Sequence, residues 1–190
     1  TDAIDREPQA HVYFDTHDLV LKQNAMALRL RKVGGKWLQT LKTAGTVTGA
    51  LHQRGEWEYP LRLPQLDLAL FRETPLAKLA QGRELHLTLK PAFKTEFQRT
   101  TWLLETTPGQ RVEVALDQGV VRCGESEAVI SEVEVELIEG GAAAVYDIAL
   151  ALADRIILRP EILSKAERGY RLFQSKPLAP KRAEAIELKN

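Results

Sequence analysis

Apolar and charged residues alternate at every second position through several segments of the chain. ALRLR (27–31) sets Arg29 and Arg31 on one side with Leu28 and Leu30 on the other. SEVEVELIEG (131–140) does the same with Glu132, Glu134 and Glu136 against Val133, Val135 and Leu137. A period of two predicts strands that each carry one charged face. Strands are also predicted in HVYFDT, AMALRLRKV and KWLQTLKTA, with Gly34-Gly35 as a hairpin turn between the last two. LHQRGEWEYPL follows a Gly/Thr-rich loop at Gly45 to Gly49, and there Arg54, Glu56 and Glu58 alternate again. Residues 64–84 read as short helical pieces between prolines. Strands resume at about Leu85 and run through EFQRTTWLLET, RVEVALDQGVVR and VISEVEVELIE. AAAVYDIALALADRI places Val145, Ile148, Leu152 and Ile156 at helical spacing and is the clearest amphipathic helix. The opening TDAIDREPQA has no periodicity and reads as a loop, and the tail from Pro177 reads as a linker. Eight or so antiparallel strands with only a few helices argue for a barrel-like α+β domain. Closure would turn cations and carboxylates inward around one cavity, an arrangement suited to a polyanion and its metal ions.

Composition narrows this picture. At 190 residues, with 27% charged and 44% hydrophobic residues, the chain has the make-up of one soluble globular domain. No apolar run is long enough to span a bilayer and no signal-peptide pattern opens the chain, so a cytoplasmic protein without a membrane partner is expected. Lys plus Arg total 26, as do Asp plus Glu, giving a net charge of zero. A nucleic-acid partner is not expected, because phosphate neutralisation normally requires a clear basic excess. The single cysteine, Cys123, has no second thiol and reads as structural. His11, His17, His52 and His86 are not grouped at metal spacing, and His52 reads as structural. No Ser-His-Asp or Cys-His arrangement and no phosphate-cradling glycine loop is evident.

YFDTHDLVL (13–21), ALRLR, LQTLKTAG (38–45), GALHQRGEWE (49–58), EVALDQG (113–119), SEVEVEL and SKAERGYRL (164–172) occur in an order that resembles CYTH domains, the triphosphate tunnel metalloenzymes. LKTAG, GALHQR and LDQG look most like the CYTH half of bacterial proteins that carry a CHAD domain downstream. The resemblance covers roughly residues 11–173. It implies an α+β fold built on an antiparallel eight-stranded closed β-barrel. Residues 1–176 would form this tunnel domain, and 177–190 a linker toward a CHAD domain.

The implied activity is hydrolysis of inorganic triphosphate or polyphosphate with Mg²⁺ or Mn²⁺. The alternatives within the family are a nucleoside triphosphatase, an adenylate cyclase, or a polyphosphate-binding module without catalysis. Guanidinium groups match phosphate oxygens two at a time. Arg29, Arg31 and Arg54 are the first candidates for the phosphate clamp, followed by Lys42 and Arg99. Lys165 and Arg168, at helical i, i+3 spacing, are candidate catalytic groups closing one tunnel end. Glu132, Glu134, Glu136 and Asp117 are the candidate metal ligands, since Mg²⁺ prefers oxygen donors and retains waters. Glu56 and Glu58 could pair with the arginines or join the metal site. The implied mechanism fixes the triphosphate in line, with one metal neutralising bridging oxygens and a second site activating water.

The family pattern opens with a Glu-x-Glu-x-Lys strand and a helix ahead of YFDT. A strand of that kind is therefore expected in the natural protein, and residues 1–190 alone are expected to have little activity. AIELK (185–189) resembles that strand but has Ala185 at the first Glu position, and a linker is the favoured reading of it.

Overall fold

The computed structural model describes residues 4–43, 46–48, 51–53 and 55–174, so Arg54 and the AIELK segment lie outside the described residues. Its main body is a seven-stranded antiparallel sheet with strand order β6-β3-β2-β1-β7-β8-β9. The strands are β1 (Asp5–Asp15), β2 (Met26–Val33), β3 (Lys36–Thr43), β6 (Glu56–Leu61), β7 (Lys90–Thr107), β8 (Gln110–Cys123) and β9 (Ser126–Glu139). A separate ribbon joins β4 (Thr46–Thr48) to β5 (Leu51–Gln53).

Every strand reads in two registers. Leu28 and Leu41 face a core made with Leu21, Phe71, Leu76 and Leu85, which lie on or beside short helices α1 (Val20–Gln23), α2 (Pro75–Ala80) and α3 (Leu85–Thr88) and a 3-10 turn at Leu68–Phe71, and Leu30 is buried in step with Leu28. On the same side of the other half, Val112 and Val114 pack with Trp102, Val133 and Val135 beneath α4 (Ala143–Ala153), which contributes Ala144, Ile148 and Leu152. Burying an aliphatic side chain of this size contributes about 1.5–3 kcal/mol, which holds these registers against a one-residue slip. The alternate positions, among them Arg29, Arg31, Lys42, Arg99, Asp117, Glu132 and Glu134, are left to the opposite face.

That opposite face is partly capped by α5 (Lys165–Phe173). Ser164 caps α5 by accepting from the Glu167 amide at 3.2 Å, and Glu167 accepts from the Ser164 amide at 3.0 Å. The helix comes down on β7 because Gly169 has no side chain: a Cβ there would lie 2.1 Å from the Phe93 ring. Phe93 is also stacked on Tyr13 at 4.6 Å and meets Tyr170 edge-on at 5.0 Å. Asp15 of YFDT is buried and accepts the Leu21 and Lys22 amides at 2.9 and 3.0 Å, so this motif ties β1 to α1.

The structure corrects four expectations. The sheet among the described residues has seven strands and is not closed, since β6 and β9 are its two ends. The open sheet still curls, since Glu134 on β9 acts on Lys42 on β3, and the curl makes its polar face concave; Gly119 lies so close to β7 that a Cβ would meet the Glu96 carbonyl at 2.1 Å. The opening segment is strand from Asp5 onward, held by pairing of Asp5–Glu7 with Arg99–Thr101 of β7 and hidden from a hydrophobicity pattern because Glu7 and Gln9 lie on the polar face. Residues 85–88 form a helical turn, and β7 begins at Lys90. Finally, α4 ends at Ala153, which leaves Ile156 beyond it and about half exposed (49%).

Gly169→Ala forces α5 away from Phe93. Urea denaturation is expected to show a loss of about 1–3 kcal/mol, the usual cost of overpacking a tight contact.

Candidate functional site

Register places the charged residues side by side across the concave face. Tyr13 lies opposite Arg29 and His11 opposite Arg31; Arg29 lies opposite Thr40, Thr40 opposite Glu58, and Lys42 opposite Glu56. In the other half Arg99 lies opposite Asp117, Asp117 opposite Glu132, and Ala115 opposite Glu134.

The first half is basic. Arg31 donates to Glu58 at 2.8 Å, Lys42 pairs with Glu56 at 3.0 Å, and Arg29 lies 3.8 Å from Glu56. The Nε atoms of Arg29 and Arg31 are buried with no acceptor among the described residues, as is the Thr95 hydroxyl. Guanidinium donors left without an acceptor are the chemistry an oxyanion would satisfy.

The second half is acidic. Asp117 is fully buried and takes a bidentate Arg99 guanidinium at 2.7 Å through both Nε and Nη2. Arg99 also donates to Glu134 at 2.5 Å. From α5, Lys165 reaches Asp117 at 2.6 Å and Glu134 at 2.8 Å and also pairs with Glu132, while Arg168 pairs with Glu132. One oxygen from each of Asp117, Glu132 and Glu134 lies within 4.8 Å of the others, an all-oxygen group that could hold a metal ion. Glu136 continues the row opposite Glu113, is exposed, and is not in that group.

The profile of the CYTH domain family matches residues 2–170. The chain belongs to the CYTH domain family. An inorganic triphosphatase from Haemophilus influenzae is 37% identical over 169 residues, covering 85% of this chain but 45% of that protein. The chain thus spans about half the length of this relative. Among solved structures, the PH1819 protein from Pyrococcus horikoshii has a TM-score of 0.57 at 18% identity, over 92% of this chain and 88% of that one. HpAC1 from Hippeastrum, a candidate adenylyl cyclase described as having a dominant triphosphatase activity, has a TM-score of 0.55 at 17% identity, over 93% and 86% of the two chains. At these identities the structures establish a shared fold.

This CYTH domain brings Arg29, Arg31, Lys42, Arg99, Asp117, Glu132, Glu134, Lys165 and Arg168 to one face; Arg54 lies outside the described residues. Sequence reasoning missed His11. It is buried, its Nδ1 lies 3.3 Å from an Arg29 nitrogen, and its Nε2 is 3.1 Å from Gln9 Oε1. Its only sequence signal was an odd-numbered place in QAHVYFD, in step with Tyr13 and Asp15. Glu56 and Glu58 are placed as ion-pair partners of the cations.

Electrostatics follow from this crowding. Burial, then Arg29, Arg31, Arg99 and Lys165, push His11 far below the ordinary imidazole range. Burial and Arg29 likewise lower Lys42, against the pull of Glu56 and of Glu134 from across the sheet. Burial opposes ionisation of Glu134, yet Lys165 and Arg99 bring its carboxyl down to about 2. Burial also opposes charge on Lys165, and the carboxylates of Glu134, Glu132 and Asp117 overcome it and raise its pKa.

His11 is therefore neutral in the folded protein while the unfolded chain takes up a proton below about pH 6.5. The unfolded state then binds more protons, so stability falls as pH drops below that value. Denaturant midpoints measured between pH 7.5 and pH 5 should fall for the wild type and change less for His11→Gln.

Proposed function

We propose that this CYTH domain hydrolyses inorganic triphosphate with the aid of a divalent metal. The observation that carries the reading is a single concave face on which a basic half, with buried donors lacking acceptors, adjoins an all-oxygen acidic group. The name of the Haemophilus relative supports the substrate.

In this reading Arg29, Arg31 and Lys42 grip the phosphates, with Arg99 at the boundary and Arg54 as a further contributor. Two guanidinium groups with paired donors fix an extended anion in one orientation, which is most of what phosphoryl transfer asks of a protein. Asp117, Glu132 and Glu134 would hold the metal, with Glu136 as an outer contributor; Mg²⁺ suits this donor set, and Mn²⁺ shares its preference for oxygen. When bound, the metal would supply charge neutralisation at phosphate oxygens. Lys165 and Arg168 deliver positive charge from α5 over the acidic end and exclude water from it. An eighth strand between the β6 and β9 edges would complete the tunnel form of the site. We also read residues 177–190 as a linker toward a CHAD domain, in a cytoplasmic protein.

Phosphate release from tripolyphosphate in Mg²⁺ is the direct test. Turnover of ATP in its place would favour a nucleotide-using enzyme, and binding without release would favour a polyphosphate-binding module. Arg31→Ala should weaken tripolyphosphate binding by roughly 1.5–3 kcal/mol in calorimetry, the range for a hydrogen bond to a charged group. Glu134→Gln should abolish Mg²⁺-dependent turnover while anion binding persists. Normal rates at low metal in that variant would remove Glu134 from the metal site.

A further inference from the structure

The three carboxylates that could hold a metal are already compensated. Asp117, Glu132 and Glu134 face three protein cations: Arg99 on Asp117 and Glu134, Arg168 on Glu132, and Lys165 on all three. Lys165 is the central member, for its ammonium contacts every carboxylate of the group whose oxygens lie within 4.8 Å of one another. A divalent cation and this ammonium cannot share those oxygens, because like charges at such distances repel strongly in a partly buried site.

The geometry points to Lys165 as the resident counter-cation of the acidic group, which makes metal binding conditional on the polyanion. This rests on the triphosphate reading above and adds a role for one residue to it. Without anion, adding a divalent ion requires Lys165 to leave its partners while still covered by the sheet, its residue only 8% exposed. An ammonium buried without a counter-charge is costly, so Lys165 resists displacement. A phosphate chain laid across the basic half reaches the boundary at Arg99 and offers oxygens that can take over Lys165 and the guanidinium groups. The carboxylates are then released to the metal. Anion and metal thereby favour each other, and the coupling is reciprocal. Lys165 acts in this step as a positioning residue.

Mn²⁺ titration followed by electron paramagnetic resonance tests the idea on the protein alone and with imidotriphosphate, a non-hydrolysable triphosphate, after subtracting the Mn²⁺ that this anion holds in free solution. Wild type should bind Mn²⁺ weakly alone and about tenfold or more tightly with the anion, within the usual span of coupling between sites. Lys165→Met should bind Mn²⁺ alone about tenfold more tightly than wild type and gain little from the anion, whereas Lys165→Arg should retain the wild-type pattern. Equal Mn²⁺ affinity in wild type and Lys165→Met, or a wild-type affinity left unchanged by an anion that does bind, would overturn the inference. If Lys165→Met does not fold, the wild-type comparison with and without anion decides it. Calorimetry of imidotriphosphate in EDTA separates the two ideas. Absence of anion binding with tighter Mn²⁺ binding by Lys165→Met sinks the triphosphate reading and leaves the counter-cation role standing, whereas anion binding without Mn²⁺ coupling sinks only the latter.

Discussion

The buried carboxylate of Asp117 is the interaction on which the rest of the structure depends. It is fully shielded from solvent in the middle of β8, and an isolated carboxylate there would be several kcal/mol uphill. Two groups from different parts of the chain remove that cost: the bidentate guanidinium of Arg99 on β7 and the ammonium of Lys165 on α5. Meeting Asp117 therefore fixes the β7–β8 register and the seat of α5 together. Losing either partner leaves charge in a low-dielectric site, so the polar cluster specifies one arrangement as strictly as an apolar core does.

The apolar packing and the polar face are two consequences of one alternation. Leucine and valine positions are buried under helices on the convex side, and the positions between them have only the concave side left. Small residues set how tightly that side can close. Gly119 permits the near approach of β7 and β8, and Gly169 permits α5 to rest on the Phe93 ring. Both lie next to the acidic group in register or along the helix, so backbone proximity determines how close opposite charges come.

Curling gives the site its electrostatic character. Glu134 on β9 acts on Lys42 on β3, although four strands lie between theirs in sheet order. A flat sheet would hold these charges too far apart for strong interaction in water. Within the curl, cations that repel one another are held by the carboxylates they pair with and by the Phe97 ring under Arg99 and Lys165. The suppressed protonation of His11 and the depressed carboxyl of Glu134 are two signs of the same imbalance, read from its basic and acidic sides.

Much of this was legible in the sequence because a strand's face depends only on residue parity. The period of two in ALRLR and SEVEVEL assigned Arg29, Arg31, Glu132 and Glu134 to single faces, and the ordered motifs identified the CYTH family before any coordinates. The helical i, i+3 spacing of Lys165 and Arg168 was legible as well, because it too is a local property of the chain. Parity says nothing about which strands lie next to each other, so the sequence left open that Asp117 would be paired by Arg99 and Lys165, which lie 18 residues before it and 48 after it. It also hid the polar first half of β1, whose pairing is through backbone, and the buried His11, whose neighbours come from other strands. Closure likewise depends on long-range edge pairing, and the described strands end open at β6 and β9. Local alternation chose the face of each charge; the curl of the sheet and the docking of α5 chose its partners, because only tertiary structure brings distant strands within Coulombic reach.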